Sequence, residues 1–339
     1  LERNVVFTRL LPAALYGRSD SSRAGGGRIM ALPLFLKICA ITRQHRGKLL
    51  AASSLGLFAV NVSYHVLPAQ TFRRLYQGWS GGEPAALSDR LQTLFRQVLE
   101  ETRTSPSGFT SFAAYGFQPV SAGVPWLPSG CLIGIPANYN SSDRDGSGIT
   151  DRVLVIGGQE VDWASEPGVS LRDSLTLSEI AQKFSLAREA IHAQTCGPLL
   201  QASVAPLCVT AVCVSGVGIK QLLGLYSGPM LLRGVFNVLA VLLGLTGYYL
   251  SYDAISHWLD YRCDRKAAAI STAYARGGVE FYEKILARNR LLRGLMGEQG
   301  ETMYAPSGNL FPKHKFRLKH APYTARRDRI LHRLEEQPE

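Results

Sequence analysis

Three stretches of this chain are apolar and almost free of charge, and they limit what it can fold into. Residues 49–67 carry no acid or base except His65, and residues 198–219 and 234–252 carry no charged residue at all. Each is roughly 19–22 residues long, enough at about 1.5 Å of rise per residue to cross a hydrocarbon core of about 30 Å. Buried core helices are the competing reading, and the absence of charge over such lengths argues against it for the last two runs. The first run is more polar, with Ser53, Ser54, Asn61, Ser63 and Tyr64. Mean hydropathy is only +0.02, so the apolar residues are concentrated rather than abundant. Three transmembrane helices are expected.

These spans divide the 339 residues. Residues 1–29 precede Met30 and are rich in Gly, Ser and Arg over 17–28, so they are expected to be a disordered upstream extension. Residues 30–48 hold Lys37, Arg43, His45, Arg46 and Lys48 and no acid, the composition of a mitochondrial targeting region or an internal signal-anchor. A secretory signal peptide fits less well, because no small-residue cleavage site follows cleanly. A transmembrane helix at 49–67 then leads into a soluble α+β region at 68–197, close to one ordinary domain in size. The second and third spans, 198–219 and 234–252, are joined by a short loop at 220–233. Residues 253–339 form a helical C-terminal region with a basic arm.

Lys and Arg outnumber Asp and Glu by 37 to 26, a net charge of +11. No zinc-finger spacing, RNP-like aromatic pair or basic zipper accompanies that charge, so no nucleic-acid partner is expected. The excess is better placed against anionic lipid or an acidic partner. The six Cys stand at 39, 131, 196, 208, 213 and 263 with no C-x-x-C, which gives neither a zinc knuckle nor a redox pair. Cys196, Cys208 and Cys213 fall in or beside the second span, where Cys acts as a small apolar residue.

In the soluble region, apolar residues at 91, 94, 95, 98 and 99 predict a one-faced helix over Asp89–Glu101 with Ser88 as N-cap. Residues 108–128 are aromatic and turn-rich. Strands are expected at 130–136 and 153–156, with a third at 161–163, and 140–148 reads as a loose loop. Thr176-Leu177-Ser178-Glu179 reads as a capping box that starts a helix carrying Arg188 and His192. After the third span, a helix is expected over 256–275 and another over 279–295, separated by a Gly277-Gly278 break. The second would pack Phe281, Ile285 and Leu292 into a core. The run 313–320 is basic with interleaved apolar residues, an exposed strand, an interfacial arm or a solvated tail.

The chemistry-bearing segment is Ala187-Arg188-Glu189-Ala190-Ile191-His192. With His at 188 it would read H-E-x-x-H, the zinc-site helix of many metallopeptidases. Beyond the two closely spaced spans come Asp260 and Asp264, then Gly277-Gly278-Val279-Glu280-Phe281-Tyr282-Glu283-Lys284. This order resembles the layout of the HtpX-like membrane metallopeptidases, whose third ligand comes from an E-x-x-x-D helix. The resemblance implies a degenerate metallopeptidase-like soluble domain. Positions 188 and 192 share a helix face, so two His there would grip one ion. Arg188 offers donors only and stays protonated, so it cannot be a ligand. Glu189 then has no polarised water to activate. Arg188, Glu189, His192, Asp260 and Asp264 are therefore expected to be degenerate metal-site positions, with no metal, no cofactor and no catalytic residue. A guanidinium paired with Glu189, Asp260 or Asp264 would stand where the ion stood. An ordinary helix surface with accidental spacing is the competing reading.

A wider resemblance rests on Gly56-Leu57-Phe58, Ser63-Tyr64-His65, Phe117-Gln118-Pro119-Val120-Ser121-Ala122-Gly123, Gly134-Ile135-Pro136, Val161-Asp162-Trp163 and Ala187-Arg188-Glu189, followed by the 277–284 run, Pro306-Ser307-Gly308-Asn309 and Pro322-Tyr323-Thr324. Together these segments resemble the transmembrane protein 177 family over about residues 30–329. The resemblance implies a multi-pass protein of the mitochondrial inner membrane, associated with cytochrome c oxidase assembly. Its implied partners are cytochrome c oxidase subunit 2 and that subunit's membrane assembly chaperone, besides the lipid bilayer. The expected fold is a mainly α membrane protein with a small β-sheet and about three transmembrane helices.

Three functions follow as expectations. The first is a non-enzymatic assembly factor that stabilises a newly inserted subunit. The second is a membrane-embedded zinc metallopeptidase with an altered site, using His192, Glu189 and Asp260. The third, a transporter or channel, is disfavoured because the spans carry no acidic or basic residue except His65. From Met30 onward the N-terminal segment and the 220–233 loop carry Lys or Arg and no acid, which puts both on the matrix side. The soluble region and the C-terminal part would then lie together in the intermembrane space.

Overall fold

A computed structural model describes residues 44–80, 82–140, 149–150, 153–312 and 317–336. The expected 1–29 extension, most of the 30–48 segment, the 141–148 loop and the first half of the basic run lie outside the described residues. The chain divides into two units, Leu1–Gly56 and Leu57–Glu339. The boundary falls inside the first long helix, α1 (Arg46–Val66), of which no residue is buried. The described part of the first unit is the N-terminal half of α1 and the two residues before it.

Three helices are long and apolar enough to cross a membrane: α1, α6 (Gly197–Leu222) and α7 (Met230–Ala268). The last two form an antiparallel hairpin whose helices approach closely. A Cβ on Gly244 would collide with a methyl of the Val212 side chain, so that crossing favours a residue without one. The large apolar side chains of the hairpin, such as Leu207, Val214, Val238 and Leu243, face outward. Apolar surface of that extent has no place in water and suits lipid.

The second unit packs helices around a three-stranded sheet. A two-stranded hairpin, β1 (Trp79–Ser80) with β2 (Glu83–Pro84), precedes it, after the short helix α2 (Phe72–Tyr76). In the main sheet β3 (Phe109–Ala114) runs parallel to the central β5 (Cys131–Pro136), and β4 (Val120–Gly123) runs antiparallel to it. Every residue of β5 is buried, which is why its run is apolar without alternation. Helix α3 (Asp89–Glu101) is capped by Ser88 and buries Leu91, Leu94, Phe95, Val98 and Leu99 against this core.

Helix α5 (Glu179–Gln194) is the hub. It packs on α3, β4, β5, α7 and α8 (Thr272–Leu295). Its face toward α8 explains a correction. Gly277 and Gly278 do not break a helix; both lie inside α8, and the chain breaks earlier, between α7 and Ser271, the N-cap of α8. A Cβ on Gly277 would stand 2.7 Å from the Ile180 carbonyl, and one on Gly278 would stand 2.7 Å from the Phe184 ring. The glycines serve close helix packing. The acidic helix likewise does not begin at 256, because α7 runs unbroken from the third span through Asp260 and Asp264. Phe281, Ile285 and Leu292 are buried, as core packing requires.

Two further readings are corrected. Residues 161–163 form no strand; the Asp162 side chain accepts the Ala164 N–H at 2.9 Å in a turn that feeds Ser165, N-cap of α4 (Glu166–Leu175). The Val155–Ile156 strand, β6, instead pairs with β7 (Gln159–Glu160). Thr176 is no N-cap; it ends α4, and Ser178 caps α5. The carboxylate expected from Glu179 comes from Glu280, which accepts the Ser178 N–H at 2.9 Å and its hydroxyl at 2.5 Å. The turn-rich 108–128 stretch supplies β3 and β4. The C-terminal region adds α9 (Glu298–Met303) and α10 (Tyr323–Glu336), of which α10 bears on the site.

Candidate functional site

Helix α5 presents Arg188 and Glu189 to the extramembrane half of α7. The Arg188 guanidinium donates to Glu189 Oε1 at 2.7 Å and to Asp260 Oδ1 at 3.1 Å. Its Nε lies 3.2 Å from Asp264 Oδ1, an ion-pair distance without hydrogen-bond geometry. One cation therefore touches three carboxylates from two helices.

A second cation, absent from the sequence reading, completes the cluster. Arg326 on α10 grips Asp264 with both arms, Nε to Oδ2 at 2.6 Å and Nη2 to Oδ1 at 2.7 Å. Its Nη1 stands 3.3 Å from Asp260 Oδ1. The Tyr282 hydroxyl of α8 donates to Asp264 Oδ1 at 2.7 Å, and the Arg326 guanidinium lies over the Tyr282 ring at 4.9 Å. Asp260 Oδ2 accepts the Ala321 N–H at 3.3 Å and faces His320 Nδ1 at 3.4 Å. From the sheet, the Ser121 hydroxyl of β4 donates to Glu189 Oε2 at 2.6 Å. Three carboxylates, two guanidiniums and neutral donors from four helices and a strand thus meet at one buried point.

Burial opposes charge here, and the partners reverse it. For Arg188, desolvation lowers the affinity for the proton, while Tyr282, Glu189, Asp264 and Asp260 raise it further, so the guanidinium stays charged well beyond its ordinary range. Arg326 is pushed up in the same way, chiefly by Asp264 against the cost of burial. His192, one turn beyond Arg188, is the contrast. Burial, joined by the Arg188 charge, holds its imidazole below the ordinary range despite Glu189 and Asp260. Cys131 on β5 is raised to about 12 by burial and by Glu189, so it is an inert thiol.

The structure brings Arg188, Glu189, Asp260 and Asp264 into contact and sets His192 beside them as a neighbour rather than a partner. These groups do not suit a zinc ion. The oxygens that would hold it already face two guanidiniums, and Arg188 holds the helix position that a first His would need. Among the described residues no group of three or more His, Cys, Asp or Glu side chains is arranged to hold a metal ion. The roles of Arg326, Tyr282, His320 and Ser121 are not legible in the sequence, because each joins the cluster from a distant segment. Tyr282 sits in the noted 277–284 run and Arg326 lies just beyond Pro322-Tyr323-Thr324, but no spacing rule ties them to Asp264.

The family model described as Transmembrane protein 177 matches residues 153–315. The transmembrane protein 177 of Xenopus laevis is 62% identical over 306 residues, covering 90% of this chain and 99% of its own length. Its Danio rerio counterpart is 52% identical over 301 residues, covering 88% of this chain and 97% of its own. The Homo sapiens protein of that name is 46% identical over 304 residues, covering 89% of this chain and 96% of its own. No solved structure matches the chain. By these relatives, and by three candidate membrane helices in the expected order, the chain belongs to the transmembrane protein 177 family.

Proposed function

We propose that this protein is a non-enzymatic assembly factor of the mitochondrial inner membrane. It holds newly inserted cytochrome c oxidase subunit 2, together with that subunit's membrane chaperone. Its soluble domain is a metallopeptidase-like scaffold in which protein charge has replaced the metal. The observation that carries the reading is the Arg188–Arg326 pair locked among Glu189, Asp260 and Asp264. A hydrolytic site of this kind needs an open position for water on its ion. Here the equivalent space is occupied by guanidinium groups that cannot deprotonate to activate water. What remains is a rigid clamp fixing the base of a two-helix membrane hairpin to a folded domain. That form suits holding a partner rather than cutting one.

The test is crosslinking in intact mitochondrial membranes, followed by identification of the captured proteins. Recovery of subunit 2 and its chaperone is expected, and capture should persist in an Arg188→Lys variant that keeps the charge. Capture of neither protein sinks the assignment. The peptidase reading has its own readout: stoichiometric zinc in the purified chain, with proteolysis lost on chelation, would replace this proposal.

A further inference from the structure

The polar end of α7 carries its charges in a sorted way. Beyond the apolar run, the acids are Asp253, Asp260 and Asp264, and all three are buried. Each turns inward to an ion pair, Asp253 with Arg317 at 3.4 Å and the others with Arg188 and Arg326. The charged side chains left toward solvent on this part of the helix are basic. Arg265 and Lys266 are exposed, and Arg262 is partly so. Arg329 of α10 extends this surface, its guanidinium 3.5 Å from the centre of the Tyr261 ring.

Arg262 is the unusual member. Its guanidinium lies over the Trp258 ring at 5.0 Å, and Trp258 is 51% exposed. Its Nε is shielded from water and has no hydrogen-bond partner, and no carboxylate lies within ion-pair distance of it among the described residues. The half-buried guanidinium as a whole has no carboxylate partner among the described residues, which leaves its charge available to an acceptor from outside the chain.

The hairpin sets the height of this pair above the bilayer. Gln201 donates to Ser256 at 3.1 Å, and Gly197 packs against Leu259. The first residues of α6's apolar run are therefore level with 256–259 of α7. Trp258 then sits at the lipid–water boundary, where Trp is favoured. Side chains on a helix tilt toward its N-terminus. On this stretch that direction is toward the membrane, so Arg262 reaches back one turn to Trp258 and brings its charge to the height of lipid phosphates.

We infer that Trp258, Arg262, Arg265 and Lys266 form a docking site for the phosphate headgroup of an anionic phospholipid. The indole seats at the boundary, Arg262 donates to the phosphate, and the two exposed bases add attraction. No bond is made or broken.

The full chain, reconstituted in phosphatidylcholine nanodiscs containing a minor fraction of phosphatidylglycerol, tests this by native mass spectrometry. Phosphatidylglycerol should stay bound in preference to phosphatidylcholine. Arg262→Gln should lower that retention about fivefold, the effect expected of one basic residue near a membrane surface. Arg262→Lys should keep most of it, and the triple variant Arg262→Gln/Arg265→Gln/Lys266→Gln should lose the preference. Unchanged melting would show that the variants fold, and Arg327→Gln, which removes a cation already paired with Asp328, should bind as wild type. Equal retention of the two lipids by the wild-type chain would overturn the inference, as would an intact preference in the triple variant. So would a Glu-rich peptide that binds with the same dependence on these residues and is not displaced by phosphatidylglycerol, since the surface would then be a protein-docking face.

Discussion

Arg188→Ala tests the clamp most directly. In the native chain Glu189 has Arg188 as its cation and Ser121 as a neutral donor. Asp260 and Asp264 share Arg188 but keep Arg326. The substitution therefore leaves one carboxylate without a cation and weakens the balance of two more. The side chains are only 17% exposed for Arg188, 10% for Glu189 and 4% for Asp264, so solvent screens little of the loss. Breaking a buried pair in this way costs about 3–5 kcal/mol, against about 1 kcal/mol or less for an exposed pair. At about 2 °C per kcal/mol for a chain of this size, the melting midpoint in detergent or nanodiscs should fall by roughly 6–10 °C. Removing the orphaned charge as well, in Arg188→Ala/Glu189→Gln, should recover part of the loss. A midpoint shift under about 2 °C at pH 7, the exposed-pair value, would refute the reasoning.

The membrane architecture was legible because lack of charge over some twenty residues is a strong signal that no tertiary contact is needed to interpret. The capped, one-faced helix at Asp89–Glu101 was legible for a similar reason, since its cap and stripe are local. What failed was local in appearance and tertiary in cause. Gly277-Gly278 looks like punctuation until the Ile180 carbonyl and the Phe184 ring are seen against it. The Thr176–Glu179 pattern has the right letters, but Ser178 takes its carboxylate from Glu280. The site divides in the same way. Arg188, Glu189, Asp260 and Asp264 have helical spacings that put each pair on one element, so they could be picked out. Arg326 reaches Asp264 from α10, and a one-dimensional pattern holds no trace of that approach.

Further outcomes follow from the same geometry. Gly277→Ala should destabilise the chain by about 1–3 kcal/mol by wedging α8 from α5, measured by thermal or urea unfolding; an unchanged midpoint would show that the helices part freely. His192 is held below its ordinary value of 6.5, chiefly by burial. The unfolded chain takes up that proton first as pH falls, so stability should drop on acidification from pH 7 through 6.5 by up to about 1.4 kcal/mol per pH unit. His192→Gln should flatten that part of the profile, and an identical profile would exclude His192 as its source. If the 220–233 loop faces the matrix, a C-terminal tag should be digested by protease in mitoplasts; a protected tag reverses the orientation. Finally, Arg188→His restores two imidazoles one turn apart on α5, yet it should bind zinc only weakly. Arg326 remains, 3.3 Å from Asp260 Oδ1 and bidentate on Asp264, so the oxygens that would complete the site still face a fixed positive charge. Arg188→His/Arg326→Gln removes both guanidiniums and leaves carboxylates that only a cation can balance. That double variant should take up to one zinc per chain, measured by elemental analysis, and its melting midpoint should rise with zinc concentration. Stoichiometric zinc in the single variant would show that Arg188 alone keeps the ion out and that Arg326 has no part in excluding it.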